Sequence, residues 1–344
     1  MVKKYIEHFD LRKIMNSGQI FRMYEPEEGH FVVYSGDKRL ELFQSGKEEK
    51  AINGCCPGRE VRFMCTADEF EEYWEGYFDL KRDYRKIMVN AEKLNKKTPD
   101  RGTEFLAKAC EYGSGIRVLK QDIWEMMISF IISQQKQIPS IRKCIENLCQ
   151  RFGKVHNVES SKEDGAVSCA DTVGCCSKEN MWYGFPSAQS IASAGPDGMK
   201  GLSLGYRERY IYETAVRYLA EGISDEEISD MSYEEAKKYF CSFTGIGEKV
   251  ADCICLFGAG FTDAFPIDVH VKDILYREFV SEDEKKRHED GLKLKINSAD
   301  IPRKKLLESL SYQDYAKIIE DRFSAFCGVK GIVQQWIFAY EIKS

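Results

Sequence analysis

The chain has 344 residues, 43% of them hydrophobic, and a formal net charge of −6. That length holds two or three domains around a sizeable core, and no apolar run of about eighteen residues is present to span a membrane. The acidic balance argues against a strongly electrostatic nucleic-acid binder, for which a basic surface is the usual footprint. The opening MVKKYIEHFDLRKIM lacks the apolar core of a signal peptide, so an intracellular protein is expected. The compartment would be the cytoplasm in a bacterium and the nucleus in a eukaryote. The thirteen cysteines are irregularly spaced and odd in number, which does not suggest a disulfide framework. The adjacent pairs Cys55-Cys56 and Cys175-Cys176 are a poor geometry for one ion, and no metal is expected.

Residues 1 to about 100 read as an α+β region. Phe31–Tyr34 and Arg39–Phe43 alternate as strands around the turn Ser35-Gly36-Asp37, and Val61–Phe63 suggests another. Phe70 to Ile87 then turns helical. From about 100 onward the pattern is helical. Ile123, Met126, Met127, Phe130 and Ile131 form one buried stripe behind an Asp122/Glu125 cap. The polar break Ser133–Gln137 follows, and Pro139 opens a second helix that Gly153 ends. Residues 157–180 are polar, small and aperiodic, a mobile loop insertion. Residues 281–303 are highly charged and read as a second, solvated insertion.

The stretch Phe243–His270 organises the rest. Tyr233–Cys241 is a helix with a Ser232/Glu235 capping box. Gly245 and Gly247 make a tight turn, since glycine reaches backbone angles that other residues avoid. Val250, Ala251, Ile254 and Cys255 then repeat at helical spacing until Gly258. This helix–hairpin–helix offers backbone N–H groups to an anion such as phosphate. Lys249 lies in the second helix's first turn, where the dipole disfavours a cation and favours a free amine, a nucleophile. Cys253, four residues on, shares its face. Asp268, nineteen residues after Lys249, stands before the periodic run Val271, Ile274 and Leu275 and reads as a helix cap.

Taken singly, such a lysine is commonly a solvated side chain and such an aspartate simply a cap. Together, GIGEKVADCICL…PIDVH resembles the helix-hairpin-helix (HhH-GPD) DNA glycosylases, specifically the eukaryotic-type 8-oxoguanine DNA glycosylases. The resemblance implies an α+β fold: an N-terminal antiparallel-sheet, TATA-binding-protein-like domain (1–100), then a mostly α-helical glycosylase domain pair (101–344, hairpin about 233–258). It also implies a catalytic pair, Lys249 as Schiff-base nucleophile and Asp268 as stabiliser of charge on the sugar. Asn16–Arg22 resembles the family's lesion-recognition segment, with Gly18 accepting a hydrogen bond from the oxidised base's N7–H. Gly331–Phe338 resembles the segment whose glutamine, Gln334, bonds the base's Watson–Crick edge. Phe338 would stack on the base with Cys253 opposite, and His270 would line the pocket. Gln135 falls where the gap-filling asparagine is expected, Tyr206 where a tyrosine wedges into the stack, and Arg207 where an arginine contacts the estranged cytosine. Gly245 and Gly247 would hold the DNA backbone. Ser140 stands in place of the family's cytosine-reading arginine, so weaker discrimination for cytosine is expected. Only Cys327 lies beyond Cys255, so the four-cysteine iron–sulfur loop of some related glycosylases cannot be built.

The expected function is a bifunctional glycosylase and AP lyase that excises 8-oxoguanine from duplex DNA. It would work without a cofactor, as a monomer and away from any membrane. Two alternatives stand beside it. A monofunctional alkyl-base glycosylase has no need of Lys249. A non-catalytic DNA-binding hairpin module has no need of Lys249 and Asp268 together, nor of Gly18, Gln334 and Phe338.

Overall fold

The protein is described here by a computed structural model, which covers residues 1–46, 58–157, 181–296 and 300–342. The chain forms two compact units, each built from two segments. One takes Met1–Arg82 and Gly115–Phe261; the other takes Asp83–Ser114 and Thr262–Ser344. Residue 100 lies within the second unit's first segment, so neither unit ends there.

In the first unit, strands β1 (Val2–Glu7), β2 (Met23–Glu27), β3 (His30–Ser35), β4 (Lys38–Gln44) and β5 (Gly58–Phe63) form an antiparallel sheet in the order β1-β5-β4-β3-β2. Alternation decides which face is covered. In β4, Leu40, Leu42 and Gln44 are buried between half-exposed neighbours, and Leu40 and Leu42 join Val33, Val61, Phe63, Leu11, Ile14, Phe70 and Trp74 in one hydrophobic core. Buried Gln44 is satisfied by main chain: it accepts from Leu11 N–H at 2.9 Å and donates to Phe9 O at 2.9 Å. The β3–β4 turn docks on the helix Ile123–Ser133, where Gly36 N–H donates to Glu125 at 2.8 Å. Burial pushes that carboxyl up to about 7, against the pull of Arg22 and of the Gly36 N–H. Buried Arg117 knits the unit's segments together, donating to the carbonyls of Glu7, His8, Asp79 and Arg82.

Two expectations change, and two strands went unread. Strands β1 and β2 carried no clear signal, because both are edge strands. In β1 only Ile6 is buried, and β2 contains Pro26, which lacks a ladder donor. The helix expected across Phe70–Ile87 is broken. Its first part passes through a π-helical turn, Phe70–Trp74, and ends at Tyr77; the next helix starts only at Tyr84. Asp79 between them is left-handed, with φ of +48°. The hairpin's second helix does not stop at Gly258, which lies inside a π-helical turn, Cys255–Ala259; the stop is the left-handed Gly260.

Among the described residues, the remaining elements of the first unit are helices apart from the short ribbon Val155–Asn157 with Met181–Tyr183. The insertion expected at 157–180 lies, Asn157 apart, outside the described residues.

Among the described residues, the elements of the second unit are all helices. Arg101–Gly113 packs on Lys330–Ile342, so closely that a side chain at Gly113 would collide with the Trp336 indole. Arg277, in the turn Leu275–Phe279, is tied to the last helix, donating to both carboxylate oxygens of Glu341 at 3.0 and 2.8 Å. The charged stretch 281–303 contains a surface helix, Glu282–Ile296. Among the described residues no helix is long and apolar enough to cross a membrane.

Candidate active site

The hairpin is built as its sequence indicates. Ser232 and Glu235 cap Tyr233–Cys241 reciprocally, and Phe243 and Ile246 plug the turn into the core. The two glycines are not equivalent. Gly245 has φ of +83°, and a Cβ there would strike the Tyr210 ring. Gly247 has an ordinary φ of −93° and is the N-cap of Glu248–Ile254; a Cβ there would meet nothing within 4 Å. The freedom of glycine is therefore needed at Gly245 by the fold, and at Gly247 by nothing in the described protein.

Asp252 locks the two arms of the hairpin. It is fully buried and accepts from Tyr233 Oη at 2.6 Å and from Lys237 Nζ at 3.0 Å. Lys249 is half-buried on the same helix, and its Nζ stands 5.3 Å from the centroid of the Phe130 ring. Cys253 is buried four residues further on.

The polar loop after Ser133 is fastened on three sides. Gln134 Nε2 donates to Gly245 O at 2.7 Å, Lys136 Nζ donates to Ser203 O at 3.0 Å, and the Arg207 guanidinium donates to Gln134 O. Between the anchors, Gln135 is exposed at the apex in a left-handed conformation, φ +52°. Arg207 does not face solvent. It is 6% exposed, donates also to Leu204 O at 3.1 Å and lies 4.4 Å from the Tyr206 ring centroid. Tyr206 itself projects, 48% exposed, with Tyr210 edge-on to it at 5.5 Å. Ser140 is exposed.

Gly18 is half-buried with φ of +82°. Its neighbour Gln19 fixes the segment. The fully buried amide donates to Ser17 Oγ and Arg117 O, each at 2.9 Å, and accepts from Leu119 N–H at 2.8 Å. Sequence reasoning gave Gln19 no role of its own, because its main-chain partners at Arg117 and Leu119 lie about a hundred residues away.

In the second unit, Asp268 caps the helix Val269–Ile274. Its Oδ1 accepts from Val271 N–H at 2.8 Å, and the side chain is half-buried. His270 is exposed, its ring 6.3 Å from that of Phe338. Along Lys330–Ile342, residues 331–337 and 339 are buried, but Phe338 is half-exposed. Gln334 is 4% exposed; its Nε2 donates to Pro266 O at 3.2 Å, whereas Oε1 is buried without a partner among the described residues. Asp263, also passed over in the sequence, sets this helix's start by accepting from Gly328 N–H at 2.7 Å and from Lys330 N–H at 3.3 Å. Lys249 and Cys253 thus belong to the first unit, and Asp268, His270, Gln334 and Phe338 to the second. Among the described residues no group of three or more His, Cys, Asp or Glu could hold a metal ion.

Residues 1–127 match the family model for the 8-oxoguanine DNA glycosylase N-terminal domain, and residues 128–296 that of the HhH-GPD superfamily base excision DNA repair proteins. An N-glycosylase/DNA lyase of Saccharomyces cerevisiae is 31% identical over 241 residues, 66% of this chain and 57% of that protein. A probable N-glycosylase/DNA lyase of Methanothermobacter thermautotrophicus is 29% identical over 204 residues, 58% of this chain and 61% of that one. The chain therefore spans about three fifths of the length of these curated relatives. Among solved structures, Clostridium acetobutylicum 8-oxoguanine glycosylase/lyase in complex with dsDNA containing cytosine opposite to 8-oxoG is similar. The TM-score is 0.70 at 25% identity, over 100% of this chain and 98% of that one. The chain belongs to the HhH-GPD superfamily and, within it, to the 8-oxoguanine DNA glycosylase family.

Proposed function

We propose that this chain is an intracellular, bifunctional DNA glycosylase and AP lyase, which excises 8-oxoguanine from duplex DNA in base excision repair. The observation that carries the reading is Lys249. It is half-buried at the start of the hairpin's second helix, and among the described residues its Nζ meets no carboxylate. A lysine left without a counter-charge in such a place is suited to act as an amine.

A base inside a duplex is out of reach of a protein nucleophile, so the nucleotide is flipped into a pocket. Gln334 suits such a base. Its unpartnered Oε1 costs about 1–3 kcal/mol while empty, and the N1–H and amino groups of an oxidised guanine are donors that fill it. Half-exposed Phe338, one helical turn on, offers a face for stacking, and Gly18 O offers an acceptor for the N7–H that only the oxidised base carries. Tyr206 and the Gln135 loop, which buried Arg207 braces from within through Gln134 O, would engage the duplex around the gap, and Gly245 and Gly247 its backbone. Cys253, on the Lys249 helix, and His270, beside Phe338, are proposed as further base contacts.

In the chemical step the Nζ lone pair forms a bond to C1′. The C1′–N9 bond breaks, and its electron pair leaves with the base, which takes up a proton. Positive charge develops on the sugar, and Asp268 stabilises it electrostatically. Its cap uses Oδ1 and leaves Oδ2 for the substrate. After Nζ loses a proton, the C1′–O4′ bond opens, O4′ is protonated, and an iminium joins Lys249 to the DNA. The iminium acidifies the 2′ proton; its loss expels the 3′ phosphate by β-elimination. None of these steps needs a cofactor.

Borohydride reduction of the iminium tests the reading. Wild-type protein is expected to form a covalent complex with 8-oxoguanine DNA. Lys249→Gln should lose both trapping and base release yet still bind the lesion duplex. Undiminished trapping in Lys249→Gln would place the nucleophile elsewhere.

A further inference from the structure

Two lysines of the hairpin, Lys237 and Lys249, are held differently. Lys237 faces the buried carboxylate of Asp252. Lys249 faces an aromatic ring, with Nζ 5.3 Å from the Phe130 centroid and no carboxylate partner among the described residues. Phe130 is 3% exposed and fixed among other rings. Phe257 stacks on it at 5.7 Å, and Phe21 meets it edge-on at 5.7 Å. Phe21 belongs to the same short segment as Gly18 and Gln19, and Phe257 to the π-helical turn that follows the Lys249 helix.

We infer that Phe130 is a positioning residue for Lys249, a ring that holds Nζ and stabilises positive charge on it. This rests on Lys249 being the nucleophile. An ammonium is attracted to the negative face of an aromatic ring within about 6 Å. A buried carboxylate would hold it far more strongly and oppose release of the proton that attack requires. A ring holds the side chain in place and still permits that release. It also acts later. When the Nζ lone pair bonds to C1′, nitrogen becomes cationic, and after loss of a proton and opening of the C1′–O4′ bond it is cationic again as the iminium. A ring already in position needs no reorganisation to stabilise that charge. Phe21 gives the ring a rigid neighbour from the Gly18 segment, so the pocket wall and the nucleophile share a support.

The test varies the ring's electrostatics at constant shape in the full-length protein. Phe130 is replaced by 4-fluoro-, 3,5-difluoro- and pentafluoro-phenylalanine, which progressively weaken the negative ring face, and the same series is made at Phe257 as a packing control. The readouts are borohydride trapping rate on abasic-site duplex, duplex affinity and melting temperature, with Lys249→Gln alongside. The expected result is a graded fall in trapping along the Phe130 series, reaching between about twofold and thirtyfold, the range that a ring–ammonium contact is worth. Affinity and melting temperature should stay level, and the Phe257 series should be flat. A flat Phe130 series, an equal response at both positions, or a loss that follows melting temperature would overturn the positioning role and leave the catalytic lysine standing. Full trapping in Lys249→Gln would overturn both.

Discussion

The helices that carry Lys249 and Asp268 are built alike and hold their residues in opposite ways. Each is short, Glu248–Ile254 and Val269–Ile274, and each runs on into a five-residue π-helical turn, Cys255–Ala259 and Leu275–Phe279. Such turns insert an extra residue and re-aim the side chains beyond them, a device common at functional sites. Asp268 is held by its own helix, through the N–H of Val271 three residues away. Lys249 is held by Phe130, a ring from a distant helix, and its helix is clamped through Asp252 to the preceding arm. On the roles proposed above, a carboxylate that must stay charged is served by a fixed local donor, and an amine that must lose a proton and later carry charge again by a weaker, non-ionic partner.

The widest separation of these two modes comes from Asp268→Asn. The substitution keeps a capping oxygen, so stability should change by less than about 0.5 kcal/mol. Excision should slow by about a hundred- to ten-thousandfold, ~3–5 kcal/mol of barrier, because charge on the sugar loses its counterpart. Single-turnover rates with melting temperatures decide it; normal excision in a destabilised protein would return Asp268 to a purely structural cap.

Asp252→Ala probes the clamp on the lysine side. It leaves Tyr233 and Lys237 facing a buried gap, and a loss of about 3 kcal/mol in unfolding free energy is expected from removing one partner of a buried pair. Denaturant titration measures it. A loss no larger than that of Asp268→Asn would mean that the two helices are held equally locally.

The smallest effects separate the two glycines. Gly245→Ala forces a left-handed alanine against Tyr210 and should cost about 2–3 kcal/mol. Gly247→Ala meets nothing in the protein and should cost about 0.5–1 kcal/mol as a poorer cap. Its duplex affinity should nevertheless fall, if a phosphate approaches where the Cβ would stand. Equal affinities of Gly247→Ala and wild type would remove Gly247 from the DNA contact.

The sequence by itself determined whatever is written locally. The β3–β4 hairpin, the Ser232/Glu235 box, the helix boundaries at Tyr233 and Cys241, and the Asp268 cap all depend on residues within a few positions of one another. The order of the family's motifs was equally legible. What only the tertiary structure decided has partners far away in the chain. Gln19 is satisfied by residues about a hundred positions on, Arg207 turns inward to the Gln134 carbonyl, and Lys249 rests over Phe130. Edge strands β1 and β2 escaped notice because they bury too little to alternate. The two hairpin glycines looked alike until Tyr210 was placed beside one of them. A side chain's rotamer and its through-space neighbours are fixed by packing of segments that meet only on folding, and no spacing rule in the sequence encodes them.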